Sequence, residues 1–256
     1  RRNRELKFLA ALKFLTIIPL PWQRKVSPEE LGRSIGYFPL VGIIIGLILV
    51  GLNWLLSPLL PSAVVNALLI ISLVVISGAL HLDGFVDTCD GIAGHKTPEE
   101  RWQVMSDSRV GGFGIIGVVL LLLVKYVALD NVPPALLMLT LVLMPMIGRW
   151  AMVYAIFAYP YAKPSGLGVV VKQGTRWPRF LMATLIALVV AYVLAQLMGV
   201  ATMLGIWIIA MVMAGYMKRK FSGLTGDTYG AINEVAEVCV LILICLLVYN
   251  HWLWLA

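Results

Sequence analysis

Gly36-Tyr-Phe-Pro39-Leu-Val-Gly42-Ile-Ile-Ile-Gly46-Leu-Ile-Leu-Val-Gly-Leu-Asn-Trp54-Leu-Leu56 runs without one charged side chain. As a helix rising 1.5 Å per residue it is about 30 Å long, which is the thickness of a bilayer's hydrocarbon core. Comparable apolar runs recur at 62–80, 112–130, 134–158, 180–198, 200–217 and 235–255. Hydrophobic residues make up 61% of the chain and charged ones 13%, and the mean hydropathy is +0.92. The alternating pattern of a membrane barrel is absent. The expected fold is all-α: a polytopic integral membrane protein of about seven transmembrane helices, built as one domain over residues 1–256.

Charge placement orients the spans. The connections near 57–61, 130–133 and 198–200 contain no Lys or Arg. The other side carries the N-terminal arginines, Arg24, Lys25, Arg33, Lys96, Arg101, Arg109, Lys163, Lys172, Arg176, Arg179 and Lys218-Arg219-Lys220. The positive-inside rule puts that side in the cytoplasm. The net charge of +7 is therefore topogenic, and no nucleic acid partner is expected. Phe8–Leu20 is too short to span and is interrupted by Lys13. It is followed by Pro21 and Trp22 instead of a small-residue cleavage site, so it reads as an interfacial or re-entrant helix. Trp54, Trp252 and Trp254 read as interface-belt residues. Cys89, Cys239 and Cys245 form no CxxC pair and read as packing residues. Three long polar segments, 81–111, 159–179 and 218–234, all fall on the cytoplasmic side, and the first holds six of the 13 acids. Chemistry with cytoplasmic substrates is expected there.

The segment His81-Leu-Asp83-Gly84-Phe-Val-Asp87-Thr-Cys-Asp90-Gly91 concentrates that chemistry. On a helix, Asp83, Asp87 and Asp90 at i, i+4 and i+7 fall within about 60° on one face. Three clustered carboxylates repel one another and call for a divalent cation, and oxygen-only ligands suit Mg²⁺ or Mn²⁺ rather than zinc. Mg²⁺ completed by substrate phosphates is a plan for phosphoryl transfer. His81 is either an interfacial histidine or a general base or phosphate donor. In Ser106-Asp107-Ser108-Arg109-Val-Gly111-Gly112, Arg109 is either a topogenic anchor or a phosphate clamp, and Asp107 either a helix cap or a further ligand. Asp227, Glu234 and Glu237 form a second acidic patch, either functional or simply charge complementing a helix N-terminus. Asn233 is the expected cap of the last helix, and Glu237 either shares the patch's function or faces headgroups. Lys125 and Arg149 are intramembrane charges. Lys125 either snorkels or functions, and Arg149, after a kink at Pro145, is expected to pair with a loop carboxylate.

The run Gly78-Ala-Leu-His81 to Gly91, followed by Met105-Ser-Asp107-Ser-Arg109-Val-Gly111, resembles the cobalamin-5'-phosphate synthase family, also called adenosylcobinamide-GDP ribazoletransferase. So do Phe14-Leu-Thr16-Ile-Ile-Pro19-Leu-Pro21, Gly36-Tyr-Phe-Pro39-Leu-Val-Gly42, and Gly223-Leu-Thr225-Gly226-Asp227 with Glu234. Cys89 stands where many members are expected to carry Ala or another small residue. The resemblance implies an inner-membrane, Mg²⁺-dependent enzyme of late cobalamin biosynthesis. It would join adenosylcobinamide-GDP to α-ribazole or its 5'-phosphate and release GMP. Under that reading Asp83, Asp87 and Asp90 hold the metal and His81 or a carboxylate activates the acceptor. Asp107, Arg109, Lys163, Lys172, Asp227 and Glu234 would bind substrate, the last two either by orienting the ribose or through a second metal. The bilayer is one partner; a homo-oligomer or a complex with other cobalamin-assembly enzymes is another. The alternatives are a CDP-alcohol phosphotransferase-like or prenyltransferase membrane enzyme, and a cation transporter. The first normally follows its Asp-Gly with Ala-Arg, which is missing here. A transporter would place acids near the midplane of its spans.

Overall fold

The computed structural model describes residues 2–19, 26–94 and 97–251. Arg1, Arg24, Lys25, Lys96, Trp252 and Trp254, with the Leu20–Trp22 stretch, lie outside the described residues. In chain order the helices are α1 (Arg2–Leu15), α2 (Pro28–Ser34), α3 (Phe38–Leu56), α4 (Ser62–Ile76), α5 (Leu80–Ile92) and α6 (Pro98–Met105). They continue with α7 (Gly112–Asp130), α8 (Pro134–Ala158), α9 (Leu167–Gly174), α10 (Trp177–Phe221) and α11 (Gly226–Tyr249). A single 3₁₀ turn, Ile35–Tyr37, joins α2 to α3. Among the described residues the one strand-like pairing is a parallel bridge between Tyr161 and Leu224.

Five stretches are long and apolar enough to cross a membrane: Pro28–Leu56, α7, α8, α10 and α11. The bent pair α4 and α5 is a sixth candidate. At 45 residues, α10 would run about 68 Å if straight, twice a hydrocarbon core. It breaks at Gln196, where φ is 47° and ψ −130°. The Tyr154 ring lies 6.4 Å from that of Phe180 and 6.2 Å from that of Trp207. Two residues so far apart in sequence reach one side chain only if the arms fold back side by side. The arms correspond to the apolar runs 180–198 and 200–217.

The second run, 62–80, does not end as the sequence suggests. Helix α4 stops at Ile76, and Gly78 and Ala79 take positive φ values of 61° and 55°. The chain turns by 88° into α5. Helix α5 then lies across the first turns of two spans. Gly84 rests against Asp227 at the start of α11, and Asp90 against Gly111 and Gly114 at the start of α7. The segment 81–111, expected as a loop, is thus largely two helices, α5 and α6, seated at the mouth of the bundle and outside the spans proper.

This loop end gathers the starts of α3, α7, both α10 arms' outer termini and α11, and the close of α8. The opposite end is plain: Asn66 Nδ2 donates to Asp130 Oδ1 at 2.9 Å, beside the 57–61 and 131–133 connections. Helix α1 belongs to the loop end. Its 14 residues span only about 21 Å, and Ala10, Ala11 and Leu15 are buried. Phe14 stacks on Phe38, and the Ile17 amide donates to Ile76 O at 2.8 Å.

Helix α8 is the central post. Every residue from Thr140 to Val153 is buried, as expected for a helix apolar all round. Helix α3 meets it through Gly42 and Gly46, where an added Cβ would lie 2.5 Å from Pro145 O and from Val142 Cα respectively. Small residues four apart let membrane helices approach to backbone contact. The periphery is hydrocarbon turned outward, with Val119, Leu123 and Val193 exposed. This is a multi-pass membrane protein.

Candidate active site

Helix α5 is held by its neighbours at both ends. Buried Arg101 of α6 donates through its guanidinium to the carbonyls of Gly91 (2.6 Å), Ile92 (2.8 Å) and Gly94 (2.8 Å). These satisfy carbonyls that a helix C-terminus leaves without partners. Toward its start, Gly84 and Gly230 set α5 against α11: a Cβ on Gly84 would lie 2.8 Å from Asp227 Cα, and one on Gly230 2.9 Å from His81 O. Cys89 fits because it faces Gly117 of α7.

A cavity of about 310 Å³ opens between α5, α11 and the 161–171 segment. Its mouth is lined by Asp83, Asp227 and Lys163. Asp227 stands in the first turn of α11, where Thr225 caps the helix and its hydroxyl donates to Asp227 Oδ2 at 3.3 Å. Lys163 is delivered by the Tyr161–Leu224 bridge, in which Ala162 N donates to Leu224 O (2.8 Å) and Leu224 N to Pro160 O (2.9 Å). Asp87 has Asp83, Asp227 and Asp90 as like-charged neighbours and Lys163 as an opposing one. Burial first, then these acids, push its carboxyl up to about 6 from the ordinary 3.8. Burial and the nearby Asp227 also raise the Tyr161 hydroxyl. Deeper in, His81 is 2% exposed, and its two ring nitrogens have no partner among the described residues. Burial foremost, then the Arg149 cation, hold it neutral, with its pKa down to about 3.

The remaining expected site residues lie elsewhere. Asp90 shares the helix with Asp83 but turns to α7, where Oδ2 accepts from Gly111 N (2.7 Å) and Oδ1 from Gly114 N (2.8 Å). The anion-seeking N-terminus of α7 is thus served from within the protein. Arg109 is exposed and pairs with Asp107 through Nε–Oδ1 (3.1 Å) and Nη2–Oδ2 (2.8 Å), on a turn outside the cavity. That pairing holds the Asp107 carboxyl down to about 2. Asp107 does not cap α7; Gly111 occupies the cap position. Lys172 Nζ donates to the carbonyls of Ile156 and Phe157, both at 2.7 Å, closing the last turn of α8, and burial lowers its pKa.

Glu234 and Glu237 form a buried ion network beneath the cavity. Lys125 Nζ reaches Glu234 Oε2 at 2.7 Å and Glu237 Oε2 at 2.8 Å, and Arg149 pairs with Glu237 Oε1. Lys125 and Glu237 have no exposed side-chain surface. Lys125 therefore does not snorkel and Glu237 does not face headgroups. Arg149 finds a helix carboxylate instead of a loop one. Asn233 is not a cap: it lies inside α11, and its Nδ2 donates to Glu237 Oε1 at 3.2 Å. Sequence reasoning singled out neither Tyr229, which lines the cavity two residues after Asp227, nor Arg101, whose role as the α5 cap depends on the turn that brings α6 back.

Among the described residues no three His, Cys, Asp or Glu side chains are gathered as a ready-made metal nest. The donor chemistry still suits Mg²⁺, which retains waters and is commonly bound by one or two carboxylates plus substrate phosphates. Asp83, Asp87 and Asp227 offer only oxygen, and Asp87 is crowded by like charges that a cation would relieve.

The family model for cobalamin-5-phosphate synthase matches residues 7–245. An adenosylcobinamide-GDP ribazoletransferase of Geotalea daltonii is 37% identical over 240 residues, covering 93% of this chain and 97% of that protein. One of Pseudomonas syringae pv. syringae is 38% identical over 248 residues, covering 94% and 100%. One of Desulforamulus reducens is 35% identical over 237 residues, covering 92% and 94%. No solved structure matches. With a family match over nearly its whole length and an acid-lined cavity at one end of a membrane bundle, the chain belongs to the cobalamin-5-phosphate synthase family and is a transferase.

Proposed function

We propose that this chain joins adenosylcobinamide-GDP to α-ribazole, or to its 5'-phosphate, as its relatives' names describe. In this reaction a ribose hydroxyl oxygen of the acceptor bonds to the phosphorus carrying the cobinamide. The P–O bond to the guanosine phosphate breaks, its electron pair leaves with GMP, and the hydroxyl proton goes to a base. The observation that carries this reading is the meeting of Asp83, Asp227 and Lys163 at the mouth of one cavity, from three separate parts of the chain.

Each of these residues has a task in the chemistry. Lys163 is the cation at the mouth and suits an oxygen of the diphosphate. Asp83 and Asp87, with Asp227 opposite, would hold Mg²⁺; when bound, the cation neutralises charge on the diphosphate and on the leaving GMP. The proton of the attacking hydroxyl goes to His81 or to one of these carboxylates; Asp87, its carboxyl pushed up to about 6, has the basicity for it, while His81, neutral and without a partner among the described residues, offers a hydrogen bond deeper in the cavity. Asp90 acts on the reaction by fixing α5 against α7, and Lys172 by closing the last turn of α8, while Arg109 with Asp107 holds a turn outside the cavity. The segregation of Lys and Arg to the loop end supports an inner-membrane location with this mouth facing the cytoplasm.

The experiment is direct: protein in liposomes, adenosylcobinamide-GDP, α-ribazole and Mg²⁺, with GMP and corrinoid product measured together. Equal amounts of both, abolished by a chelator, are expected. GMP without a joined corrinoid, or turnover indifferent to chelation, would overturn the transferase or the metal respectively.

A further inference from the structure

The inner part of the cavity has a chemistry of its own. Phe14, Phe38, Met152, Ile156 and Val171 give it an apolar wall drawn from α1, α3, α8 and α9. Into this wall Tyr229 sets its hydroxyl, with the residue 4% exposed and the oxygen without a partner among the described residues. A buried hydroxyl without a hydrogen bond costs free energy, and native structures rarely leave one so. An occupant that completes it has to be largely apolar, with a hydrogen-bond acceptor on its edge.

Size and polarity select among the substrate parts. A volume of about 310 Å³ lies at the small end of ligand pockets and is far below what a corrinoid needs. Guanine carries donors and acceptors around most of its rim, and an apolar wall that offers only the Tyr229 hydroxyl and the His81 ring nitrogens would leave several of them unpaired. The base of ribazole is a fused two-ring heterocycle bearing methyl groups and one unprotonated ring nitrogen. Its attached ribose would extend toward Asp83, Asp227 and Lys163.

We infer that the inner cavity is the acceptor-base subsite, in which the Tyr229 hydroxyl donates to the free ring nitrogen while Phe14, Phe38 and Val171 enclose the ring. This inference rests on the transferase reading above and adds to it which substrate enters the bundle and which residue reads it. The corrinoid and guanosine stay outside the mouth, so only the acceptor is desolvated. Selectivity then follows from pairing: a site built to donate one hydrogen bond discriminates against an analogue that cannot accept it.

The test uses the full-length protein in lipid nanodiscs, α-ribazole, and the ribosyl-dimethylindole analogue in which C–H replaces the ring nitrogen. Wild type should bind and use α-ribazole in preference to the indole. Tyr229→Phe keeps the ring and should raise KM for α-ribazole at least about fivefold, the loss of one net hydrogen bond. It should leave KM for adenosylcobinamide-GDP unchanged and abolish the preference over the indole. Val171→Phe, which fills the wall from another helix, should weaken both acceptors alike. An unchanged preference in Tyr229→Phe, or a rise in KM for the corrinoid substrate alone, overturns the subsite. Binding of α-ribazole by wild type without any GMP release would sink the transferase reading and leave the subsite standing. Failure of wild type to bind α-ribazole at all overturns both.

Discussion

The ion network under the cavity gives the sharpest energetic prediction. Lys125 and Arg149 supply two positive charges and Glu234 and Glu237 two negative ones, all in the bundle interior and linked at hydrogen-bond distance. Glu237→Gln keeps the shape and leaves one cation uncompensated. Lys125→Met leaves one anion uncompensated. Removing a single partner from a buried pair costs about 3–5 kcal/mol, because the desolvated survivor has no counter-charge. At about 2–4 °C per kcal/mol for a chain of this length, each variant should melt roughly 6–20 °C below wild type. The double variant Lys125→Met/Glu234→Gln is neutral again and keeps the Arg149–Glu237 pair. It should be more stable than the Lys125→Met single, with a coupling of at least about 2 kcal/mol. Thermal unfolding followed by tryptophan fluorescence at constant lipid composition measures all of these. Additive costs in the double variant, or single variants within about 1 kcal/mol of wild type, would refute an energetically coupled network.

Asp83→Ala and Asp87→Ala should lose most GMP release without any fall in melting temperature. Asp90→Ala should also lose stability, by about 1.5–3 kcal/mol for each charged hydrogen bond to the α7 amides, and equal stability of all three variants counts against the placement of Asp90. Asp87→Asn should raise the melting temperature at pH 7.5 without divalent ions and change it little at pH 3.5. The Asp87 carboxyl titrates near 6 in the fold against an ordinary 3.8, so the stability tied to its protonated form is full below about 3.8 and lost as pH rises through about 6. A gain of equal size at both pH values would contradict the sign. In a background lacking Cys89, Cys239 and Cys245, an impermeant thiol reagent added from the periplasm should label cysteine at Ser57 but not at Ser106 or Ser165; the reverse pattern inverts the topology.

The runs 112–130 and 134–158 coincide with α7 and α8 because hydropathy alone determines where a uniform apolar span begins and ends. The break at 76–80 was not legible. Ile76, Ala79 and Leu80 are as apolar as any span, and the bend comes from backbone at Gly78 and Ala79 that composition does not encode. The helical spacing of Asp83, Asp87 and Asp90 was readable, and α5 is a helix. What spacing could not give was the partner of each acid. Asp90 is claimed by amides from α7, more than twenty residues on, and Asp83 meets Asp227 only because Gly84 lets α11 approach. Lys125 and Arg149 stood out as intramembrane charges, but their counter-charges were legible only as a nearby acid-rich segment. Pairing required knowing that α7, α8 and α11 pack together at one depth.

Helix α11 ties these levels into one object. Asp227, Gly230, Glu234 and Glu237 follow at i, i+3, i+7 and i+10, so they lie within about 80° on one face of the helix. The first lines the mouth, the second admits α5, and the last two hold the cations of α7 and α8. Turning the helix by a single residue, about 100°, would remove Asp227 from the cavity and strand two carboxylates in hydrocarbon. The ion network therefore fixes the rotation of α11, and through it the position of the acid at the mouth. A buried pair is weak evidence for stability by itself, but it is costly to misalign, and that cost is what specifies one arrangement among many apolar ones. Apolar spans slide and rotate against each other with little penalty in a bilayer, where lipid competes evenly with side chains for contact. Placing four charges at one depth, on three helices that must each present a single face, removes that freedom at the level from which the cavity is built.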